Sequence, residues 1–557
     1  MNTDNEKKYL PIDNAFADFI LRRSGIDSEP QLKEVISDLS LAVRSGASCL
    51  EVTGEIREKL LSCCGSTVAD AQQEKALSFP LILDGKCLYF QKLYKLEENL
   101  AELFCDIAGR PVPEAPADTL DDIFSTMPQS EGVEKQKAAV RNALTHSLAV
   151  ICGGPGTGKT TVASALLCQE LQRKMPNGKS PAIALLAPTG KAYVRLRESL
   201  LEDSKKFNIP PEIRSAFETL PGGTIHRFLG WGGQEKKYNK ENPVPFDLIL
   251  VDECSMISLD TMYALLSALP GHTRVVLLGD DAQLSSIDAG LVFSDLCSAS
   301  EKSSSGPLCG IVSALVFNFR AQSAPQLIDL AENLREGRLP EDVEIKAAPE
   351  QKDFAAEFPE FIEHFRKISK LCKKNTQESM DRAFRLLDDY KMICPVNLNT
   401  KFGTAGINAA VLSALDADDS SPGVPIMIRH NNYDLALFNG DTGLIVKGKK
   451  AMFPGRNEAF PLAALPEYDI SYAITAHKSQ GSGYRQISLL LPDGELPLVN
   501  RALIYTAVTR ARKKARIYGK KEQILSALEN RNDRASGLAL RMLKRCDNTA
   551  KTAEGEA

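Results

Sequence analysis

The sequence has no apolar stretch long enough to cross a membrane. A transmembrane helix needs about 18 or more consecutive apolar residues, and no run in the 557 residues approaches that length. Residues 1–8 are mostly polar and lack the apolar core of a signal peptide. These absences predict a cytoplasmic protein.

The sequence also lacks paired cysteines and an excess of positive charge. Its 13 cysteines include no C-x-x-C pair, and the adjacent Cys63 and Cys64 have no partners at zinc-ligand spacing. We therefore expect reduced thiols rather than a zinc site or a disulfide framework. The formal net charge of −5 argues against a surface that binds nucleic acid over its whole area. Any contact with nucleic acid must come from a local groove.

A glycine-rich stretch, residues 152–161 (CGGPGTGKTT), carries the strongest functional signal. It follows an apolar run and precedes a helical pattern, which is the context of a phosphate-binding loop. Glycines let backbone N–H groups point at an anion, and the helix N-terminus adds partial positive charge. Lys159 would reach the β- and γ-phosphates, and the Thr160 hydroxyl would hold Mg²⁺. The predicted nucleotide contacts are Gly153, Gly154, Pro155, Gly156, Thr157, Gly158, Lys159, Thr160 and Thr161.

Two later apolar segments end in polar residues that suit triphosphate hydrolysis. In residues 247–253 (DLILVDE), Asp252 would ligate Mg²⁺, directly or through water, and Glu253 could polarise the attacking water. Residues 275–280 (VVLLGD) form another such segment, and Gln283 follows it. A neutral amide there could sense the γ-phosphate, although a surface glutamine is the alternative interpretation.

Two arginines in the second half are candidates for neutralising the charge that spreads over the γ-phosphate oxygens. Arg320 follows residues 317–319 (FNF), and Arg510 lies in residues 505–512 (YTAVTRAR). A guanidinium supplied by a second lobe can stabilise that charge. If both arginines belong to the second lobe, hydrolysis would be coupled to lobe closure.

The order of helical and strand patterns predicts an α/β protein with several domains. From residue 119 onward strands alternate with helices, which implies parallel sheets covered by helices on both faces. A short projecting hairpin or loop is predicted near residues 230–245. The predicted divisions are a mainly helical N-terminal domain at 1–110, a first lobe at 119–312, a second lobe at 313–545 with a β-rich insertion near 422–465, and a disordered tail at 546–557.

Taken in order, these segments resemble the motifs of superfamily 1 helicases. They are residues 153–160, 187–192 (APTGKA), 224–227 (TIHR), 252–256 (DECSM), 279–284 (GDDAQL), 439–443 (NGDTG), 475–482 (TAHKSQGS) and 507–512 (AVTRAR). Their wording is similar to that of the RecD family, the alpha subunits of exodeoxyribonuclease V, over roughly residues 40–543.

The resemblance implies a fold, a polarity and partners. The fold would have two RecA-like lobes and a small SH3-like β-barrel inserted in the second. The chain would use ATP and Mg²⁺ to move 5′ to 3′ on single-stranded DNA during repair and recombination of double-strand breaks. Its N-terminal domain would dock in a heterotrimer with a helicase–nuclease beta subunit and a scaffold gamma subunit.

The resemblance also assigns residues to roles. Gln136 would read the adenine edge, and Arg510 would be the arginine finger. Thr189, His226, Thr475 and His477 would line the DNA path, although packing is the alternative role for both histidines. The chain departs from the family pattern at Asp281, where an arginine is common, and at Gly483, where a glutamate is common.

Other functions remain open from the sequence. A stand-alone 5′-to-3′ helicase of the same branch would usually carry a longer N-terminal region, so the short one here favours the subunit. A switch that binds DNA under ATP control without translocating is disfavoured by the intact catalytic residues. The E-x-K spacing at residues 344–346 is typical of some nucleases, but it lies in a polar stretch without an upstream metal-binding aspartate. We therefore expect nuclease activity in a partner subunit.

Overall fold

Two parallel β-sheets, each covered by helices, dominate the computed structural model, as the alternating sequence pattern predicted. None of the described helices is long and apolar enough to span a membrane. The structure describes residues 9–26, 29–112, 118–173, 180–231, 237–319, 324–341, 343–347, 354–396, 403–432, 434–456, 458–492, 498–530 and 534–555.

The N-terminal region combines four helices with a small sheet. In chain order it contains α1 (Pro11–Arg23), α2 (Pro30–Arg44), β1 (Leu50–Glu51), α3 (Gly54–Cys63), β2 (Val68–Asp70), β3 (Leu81–Asp84), β4 (Cys87–Phe90) and α4 (Gln91–Ala108). The sheet order is β1-β4-β3-β2. Strands β3 and β4 pair antiparallel as a hairpin. The prediction of a mainly helical N-terminal domain did not include β1 and β2, because these strands are too short to give a periodic pattern in the sequence.

Helix α4 packs into the first lobe rather than into a separate domain. Its buried face, which includes Leu100, Phe104 and Ile107, belongs to the same apolar cluster as the strands of the first large sheet. Residues 1–110 therefore cannot be removed without opening the core of the first lobe to water.

The first lobe is built on six parallel strands. It contains α5 (Leu120–Ile123), α6 (Glu131–Leu144), β5 (Leu148–Gly153), α7 (Lys159–Gln172), β6 (Ile183–Ala187), α8 (Gly190–Lys206), α9 (Pro211–Thr219), β7 (Gly222–Thr224), α10 (Ile225–Leu229), β8 (Leu248–Val251), α11 (Leu259–Ser267), β9 (Arg274–Gly279), α12 (Val292–Lys302) and β10 (Val312–Leu315). The order is β10-β5-β9-β8-β6-β7. Because β10 pairs with β5, the first sheet extends past the boundary predicted at residue 312.

The second lobe holds a parallel sheet and an antiparallel insertion. Its elements are α13 (Pro325–Glu336), β11 (Ile345–Lys346), α14 (Phe354–Glu357), α15 (Pro359–Lys374), α16 (Gln377–Leu387), β12 (Tyr390–Cys394), α17 (Thr404–Ala414), β13 (Pro425–Ile428), β14 (Thr442–Val446), β15 (Lys450–Met452), β16 (Phe460–Pro461), β17 (Tyr468–Ile470), β18 (Ala473–Thr475), α18 (Ala476–Ser479), β19 (Tyr484–Leu490), α19 (Arg501–Val508), β20 (Ala511–Tyr518) and α20 (Lys521–Glu529). The parallel sheet has the order β11-β20-β19-β12-β18.

The insertion is a five-stranded antiparallel sheet with the order β16-β15-β14-β13-β17. It confirms a β-rich unit close to the predicted position and extends it to Ile470. Within the described residues no strand pairing joins β16 to β17, so the SH3-like barrel stays a prediction.

The chain ends in α21 (Leu538–Gly555), which returns to the first lobe and lies against α4 and α12. This differs from the sequence prediction, in which the second lobe ran to residue 545 and a disordered tail followed. Leu538, Met542 and Cys546 are buried one helical turn apart, and their apolar stripe pulls the helix onto the core. The terminal residues are polar on average, so the sequence did not indicate this row of three apolar residues.

A buried ion pair fastens α21 to α4. The Arg541 Nε donates to the fully buried Glu97 carboxylate at 3.1 Å, and the guanidinium lies 4.3 Å from the centre of the Tyr94 ring. Glu97 also accepts from Ser48 Oγ at 2.5 Å and from the Gly537 N–H at 3.2 Å.

We expect Arg541→Met to lower the free energy of unfolding by about 3 kcal/mol, because it leaves the Glu97 charge buried without its partner. Arg545→Met is the matched control. Arg545 pairs with Glu98 at the helix edge, where a half-exposed pair contributes only about 0–1 kcal/mol. Urea denaturation of both variants measures the difference. Adding Glu97→Gln to Arg541→Met should restore part of the stability, and equal losses in the two single variants would contradict the assignment.

Candidate nucleotide-binding and catalytic site

The glycine-rich loop joins the end of β5 to the start of α7, as predicted. Gly156 and Gly158 have φ values of +88° and +86°, a left-handed conformation that L side chains rarely adopt. A Cβ on Gly158 would also collide with the side-chain amide of Gln136. The backbone of the loop is therefore shaped by its glycines, and Gln136 is brought beside it.

The lysine of the loop faces backbone oxygens of the same loop. Lys159 Nζ donates to the carbonyl oxygens of Gly153 at 2.5 Å and Gly154 at 3.2 Å. Thr157 Oγ1 donates to the Gly154 carbonyl at 2.8 Å. A cationic amine at the mouth of a glycine loop fits a triphosphate, whose oxygens can replace these carbonyl acceptors.

A cavity of about 640 Å³ opens between the two lobes next to this loop, a size suited to a nucleotide. The predicted nucleotide, metal and catalytic residues line it, with three exceptions. Gly153 and Thr157 are buried residues of the loop itself, and Arg320 lies outside the described residues. The remaining members are Gln136, Gly154, Pro155, Gly156, Gly158, Lys159, Thr160, Thr161, Asp252, Glu253, Gln283 and Arg510.

The acidic pair follows β8 at the floor of the cavity. Burial, together with the nearby charge of Glu253, raises the pKa of Asp252 to about 6. The Glu253 N–H donates to Asp252 Oδ1 at 2.8 Å, and Glu253 itself has a φ of +54°. A buried carboxylate with a raised pKa is stabilised by a cation, so Asp252 and the Thr160 hydroxyl suit Mg²⁺. The strained backbone at Glu253 is typical of a functional position.

A chain of hydrogen bonds crosses from one lobe to the other at the cavity. Gln283 Nε2 donates to Asp280 Oδ2 at 2.7 Å, and Arg510 Nη2 donates to Gln283 Oε1 at 2.8 Å. Tyr505 donates its hydroxyl to Asp280 Oδ2 at 3.2 Å. Burial raises the pKa of Asp280 and lowers that of Arg510. The structure thus brings Gln283 and Arg510, two of the predicted catalytic residues, into direct contact.

Sequence reasoning missed three residues of this site. Asp280 was seen only as the end of a motif, and nothing in the sequence around Tyr505 indicates its hydroxyl contact with Asp280. Arg195 lies on α8 and lines the cavity, and its Nη1 donates to the Gly481 carbonyl of the second lobe at 2.9 Å. Lys191 belongs to the helicase-like motif at residues 187–192, and Arg195 follows it by one helical turn. This spacing could have indicated that Arg195 lies at the site.

Both departures from the family pattern lie where the lobes meet. Asp281 pairs with Arg335 of α13 at 2.7 Å, so the reversed charge supplies an ion pair between the lobes. Gly483 lies between two guanidiniums, because a Cβ there would be 3.1 Å from Arg195 Nη2 and 3.2 Å from Arg512 Nε. Without a carboxylate at this position, Arg512 donates to the Gly483 carbonyl instead, at 2.8 Å.

Two phenylalanines form an apolar wall near Gln136. The rings of Phe317 and Phe319 meet edge to face with their centres 4.9 Å apart. The Phe319 N–H donates to the Gly156 carbonyl at 3.0 Å, which ties this segment to the loop. Both rings stay partly exposed, and such rings suit the stacking of a nucleotide base.

The four predicted DNA-contacting residues divide between the lobes. Thr189 and Thr475 cap the N-termini of α8 and α18, since their hydroxyls accept from the N–H groups of Ala192 and Lys478, each at 3.2 Å. Burial lowers the pKa of both His226 and His477. The two threonines therefore cap helices, and the two histidines are partly buried. Packing was the alternative role given for both histidines in the sequence analysis.

The predicted hairpin at residues 230–245 has no strand in its described part, residues 230–231 and 237–245. Trp231 packs edge-on against His226 with ring centres 4.8 Å apart, and Tyr238 packs on Phe228. These aromatic contacts fold the segment back onto α10, and they compete with projection into solvent.

Two family models match the chain. An AAA domain model matches residues 136–289, which contain the glycine-rich loop, the acidic pair and Gln283. A UvrD-like helicase C-terminal domain model matches residues 471–518, which contain Thr475, His477 and Arg510.

Similarity to known proteins extends over most of the chain. The RecBCD enzyme subunit RecD of Mycolicibacterium smegmatis is 32% identical over 533 residues, which cover 90% of this chain and 92% of that protein. The ATP-dependent RecD2 DNA helicase of Deinococcus radiodurans is 28% identical over 76% of this chain and 54% of that protein. A solved structure of Pif1 helicase from Bacteroides with ADP-AlF3 and single-stranded DNA has a TM-score of 0.40 and 18% identity, covering 72% of this chain and 94% of that one.

Proposed function

Because this chain belongs to the RecD family of ATP-dependent DNA helicases, we propose that it moves 5′ to 3′ on single-stranded DNA as a subunit of a RecBCD-type exodeoxyribonuclease V. The observation that supports motor activity most strongly is the contact between Gln283 of the first lobe and Arg510 of the second, at the edge of the nucleotide cavity. A site that needs both lobes for hydrolysis can convert ATP turnover into lobe movement.

In this mechanism the first lobe holds ATP and prepares the attacking water. The N–H groups of the loop and Lys159 bind the phosphates, and Gln136 reads the base. Thr160 and Asp252 would hold Mg²⁺, which would supply positive charge to the phosphates. Glu253 orients the water and accepts its proton.

The second lobe completes the site only when it is close. Arg510 presents its guanidinium to the γ-phosphate, where it stabilises the charge of the transition state. Its hydrogen bond to Gln283 supports a role for both groups at the same phosphate. Loss of the γ-phosphate removes the anion that both contact, and the lobes can then separate.

We place the DNA across both lobes. Thr189 and His226 belong to the first lobe, and Thr475 and His477 belong to the second. When the lobes close or open, the distance between these two sets of contacts on the same DNA strand changes. Gln480 links this face to the nucleotide site, because its Nε2 donates to the carbonyl of Leu284, next to Gln283, at 2.7 Å.

We further propose that the N-terminal region docks on a scaffold subunit through α1, and that the nuclease belongs to a third subunit. Leu10 and two residues of α1, Ile12 and Phe19, expose 48%, 61% and 52% of their surface. Exposed large apolar side chains close together on one element often mark a protein interface.

We expect the double variant Ile12→Glu, Phe19→Glu to keep its DNA-stimulated ATPase but to stop co-purifying with scaffold and helicase–nuclease subunits. Leu525→Glu, which changes an exposed leucine of α20, is the matched control and should co-purify normally. Affinity purification from the native cell followed by mass spectrometry tests both. Normal recovery of partners with the double variant would refute docking through α1, and recovery of the wild-type chain alone would favour a stand-alone helicase.

A further inference from the structure

The residues just before α21 contact both the N-terminal region and the first lobe. We call residues 534–537 the C-terminal strap. Its Ala535 carbonyl accepts from the Ser48 N–H of the N-terminal region at 3.0 Å. Its Ser536 Oγ donates to Asp295 of the first lobe at 2.6 Å. The strap therefore has a defined position, and its first residue, Arg534, is held where these parts meet.

The guanidinium of Arg534 lies in a close-fitting pocket between Ser286 and Gly46. Its Nη1 donates to the Ser286 carbonyl at 2.6 Å. Gly46 lies on the other side with a φ of +92°, and a Cβ on Gly46 would overlap the guanidinium. The Gly46 carbonyl in turn accepts from the Gly290 N–H at 3.0 Å, which fixes this turn against the loop that carries Ser286.

This guanidinium lacks an acidic partner. Within the described chain no carboxylate forms an ion pair with Arg534, and its buried Nε has no hydrogen-bond partner. Burial lowers the pKa of Arg534. Two other buried arginines, Arg274 and Arg541, each pair with a glutamate. A partly buried cation without a counter-charge is costly unless an anion binds it.

The surroundings of Arg534 indicate which anion it could meet. Burial is the main cause that lowers the pKa of His477, and the positive charge of Arg534 adds to it. Ser286 belongs to the loop after Gln283, whose Leu284 accepts from Gln480 of the second lobe. The N–H of Gln480 donates in turn to the His477 carbonyl at 3.1 Å. These hydrogen bonds connect the loop that contacts Arg534 with the segment that carries His477, on the face where we place the DNA.

We propose that Arg534 binds a backbone phosphate of single-stranded DNA, so that the C-terminal strap is a third DNA-contacting element beside the two lobes. This assignment rests on the proposed function, which puts the strand against His477. A guanidinium offers a planar fork of donors that matches a phosphate. Since the strap is fixed to the N-terminal region and the first lobe, Arg534 would hold the strand while the second lobe moves.

The test is the salt dependence of binding to a fluorescent oligo(dT), measured by anisotropy with the full-length chain. Each phosphate contact contributes about 0.7 to the slope of log K against log salt for a single strand. We expect Arg534→Gln and Arg534→Met to reduce the slope by about that amount and to weaken binding about tenfold. Arg534→Lys should keep most of the slope. The control is Arg382→Gln, an exposed arginine of α16, which should match the wild type.

The outcomes separate this inference from the proposed function. An unchanged slope in Arg534→Gln and Arg534→Met, with or without a lower melting temperature, would show that Arg534 only fastens the strap. A slope reduced equally by Arg534→Lys would also overturn the phosphate contact, because lysine keeps the charge. Failure of the wild-type chain to bind oligo(dT) at any salt concentration would instead contradict the proposed function.

Discussion

Glu253→Gln should bind ATP with unchanged affinity and hydrolyse it about 10³-fold more slowly, because an amide cannot accept the proton of the attacking water. The glycine loop, Lys159 and Asp252 stay intact in this variant, so the phosphates keep their contacts. Lys159→Ala should lose both binding and turnover, since the amine that faces the loop is gone. The loss in Glu253→Gln should therefore appear in kcat and not in nucleotide affinity.

Fluorescent nucleotide binding and steady-state ATPase rates, with and without oligo(dT), measure the two quantities separately. Glu212→Gln on α9 is the control, because it makes the same chemical change at an exposed position. Normal turnover in Glu253→Gln would remove Glu253 from the catalytic role. Loss of binding in this variant would show that Glu253 supports the cavity rather than the chemistry.

Arg510→Lys should lower kcat by about 10²- to 10³-fold, with little change in KM for ATP. Arg510 is buried and spans from the Gln283 amide to the carbonyl of Thr506, which accepts from its Nε at 3.2 Å. A lysine keeps the charge, but it cannot make the forked contact to Gln283 and a phosphate together.

The control for Arg510→Lys is Arg485→Lys, an exposed arginine on β19 of the same lobe. Gln283→Ala should reproduce part of the defect, and combining it with Arg510→Lys should cost less than the sum of the two effects, because the residues act as one unit. Additive losses would mean that the hydrogen bond between them carries no catalytic coupling. A change in KM alone would place Arg510 in substrate binding only.

The candidate nucleotide site could be predicted from sequence because its parts are local. Strand, glycine turn and helix are contiguous, and their order alone places Lys159 and Thr160 at a helix N-terminus. Asp252 and Gln283 each follow an apolar strand, and the carboxyl ends of parallel strands meet at one edge of a sheet. The structure puts these residues in one cavity.

What the sequence could not predict depends on contacts between distant segments. Tyr505 and Asp280 are far apart in the chain, and only the approach of the lobes joins them. The packing of α21 on α4 depends on an ion pair between Glu97 and Arg541, which no local pattern shows. The contacts of Trp231 with His226 and of Tyr238 with Phe228 could not be predicted from the turn signals around them. The projecting hairpin or loop at residues 230–245 stays a prediction.

A strand-displacement assay tests whether ATP hydrolysis drives this chain 5′ to 3′ along one DNA strand. Two duplexes of the same sequence, one with a single-stranded 5′ tail and one with a 3′ tail, are mixed with the full-length chain and ATP. We expect the 5′-tailed duplex to be unwound, the 3′-tailed one to be a poor substrate, and Lys159→Ala to abolish the difference. Preferential unwinding of the 3′-tailed duplex would show that the chain does not move 5′ to 3′.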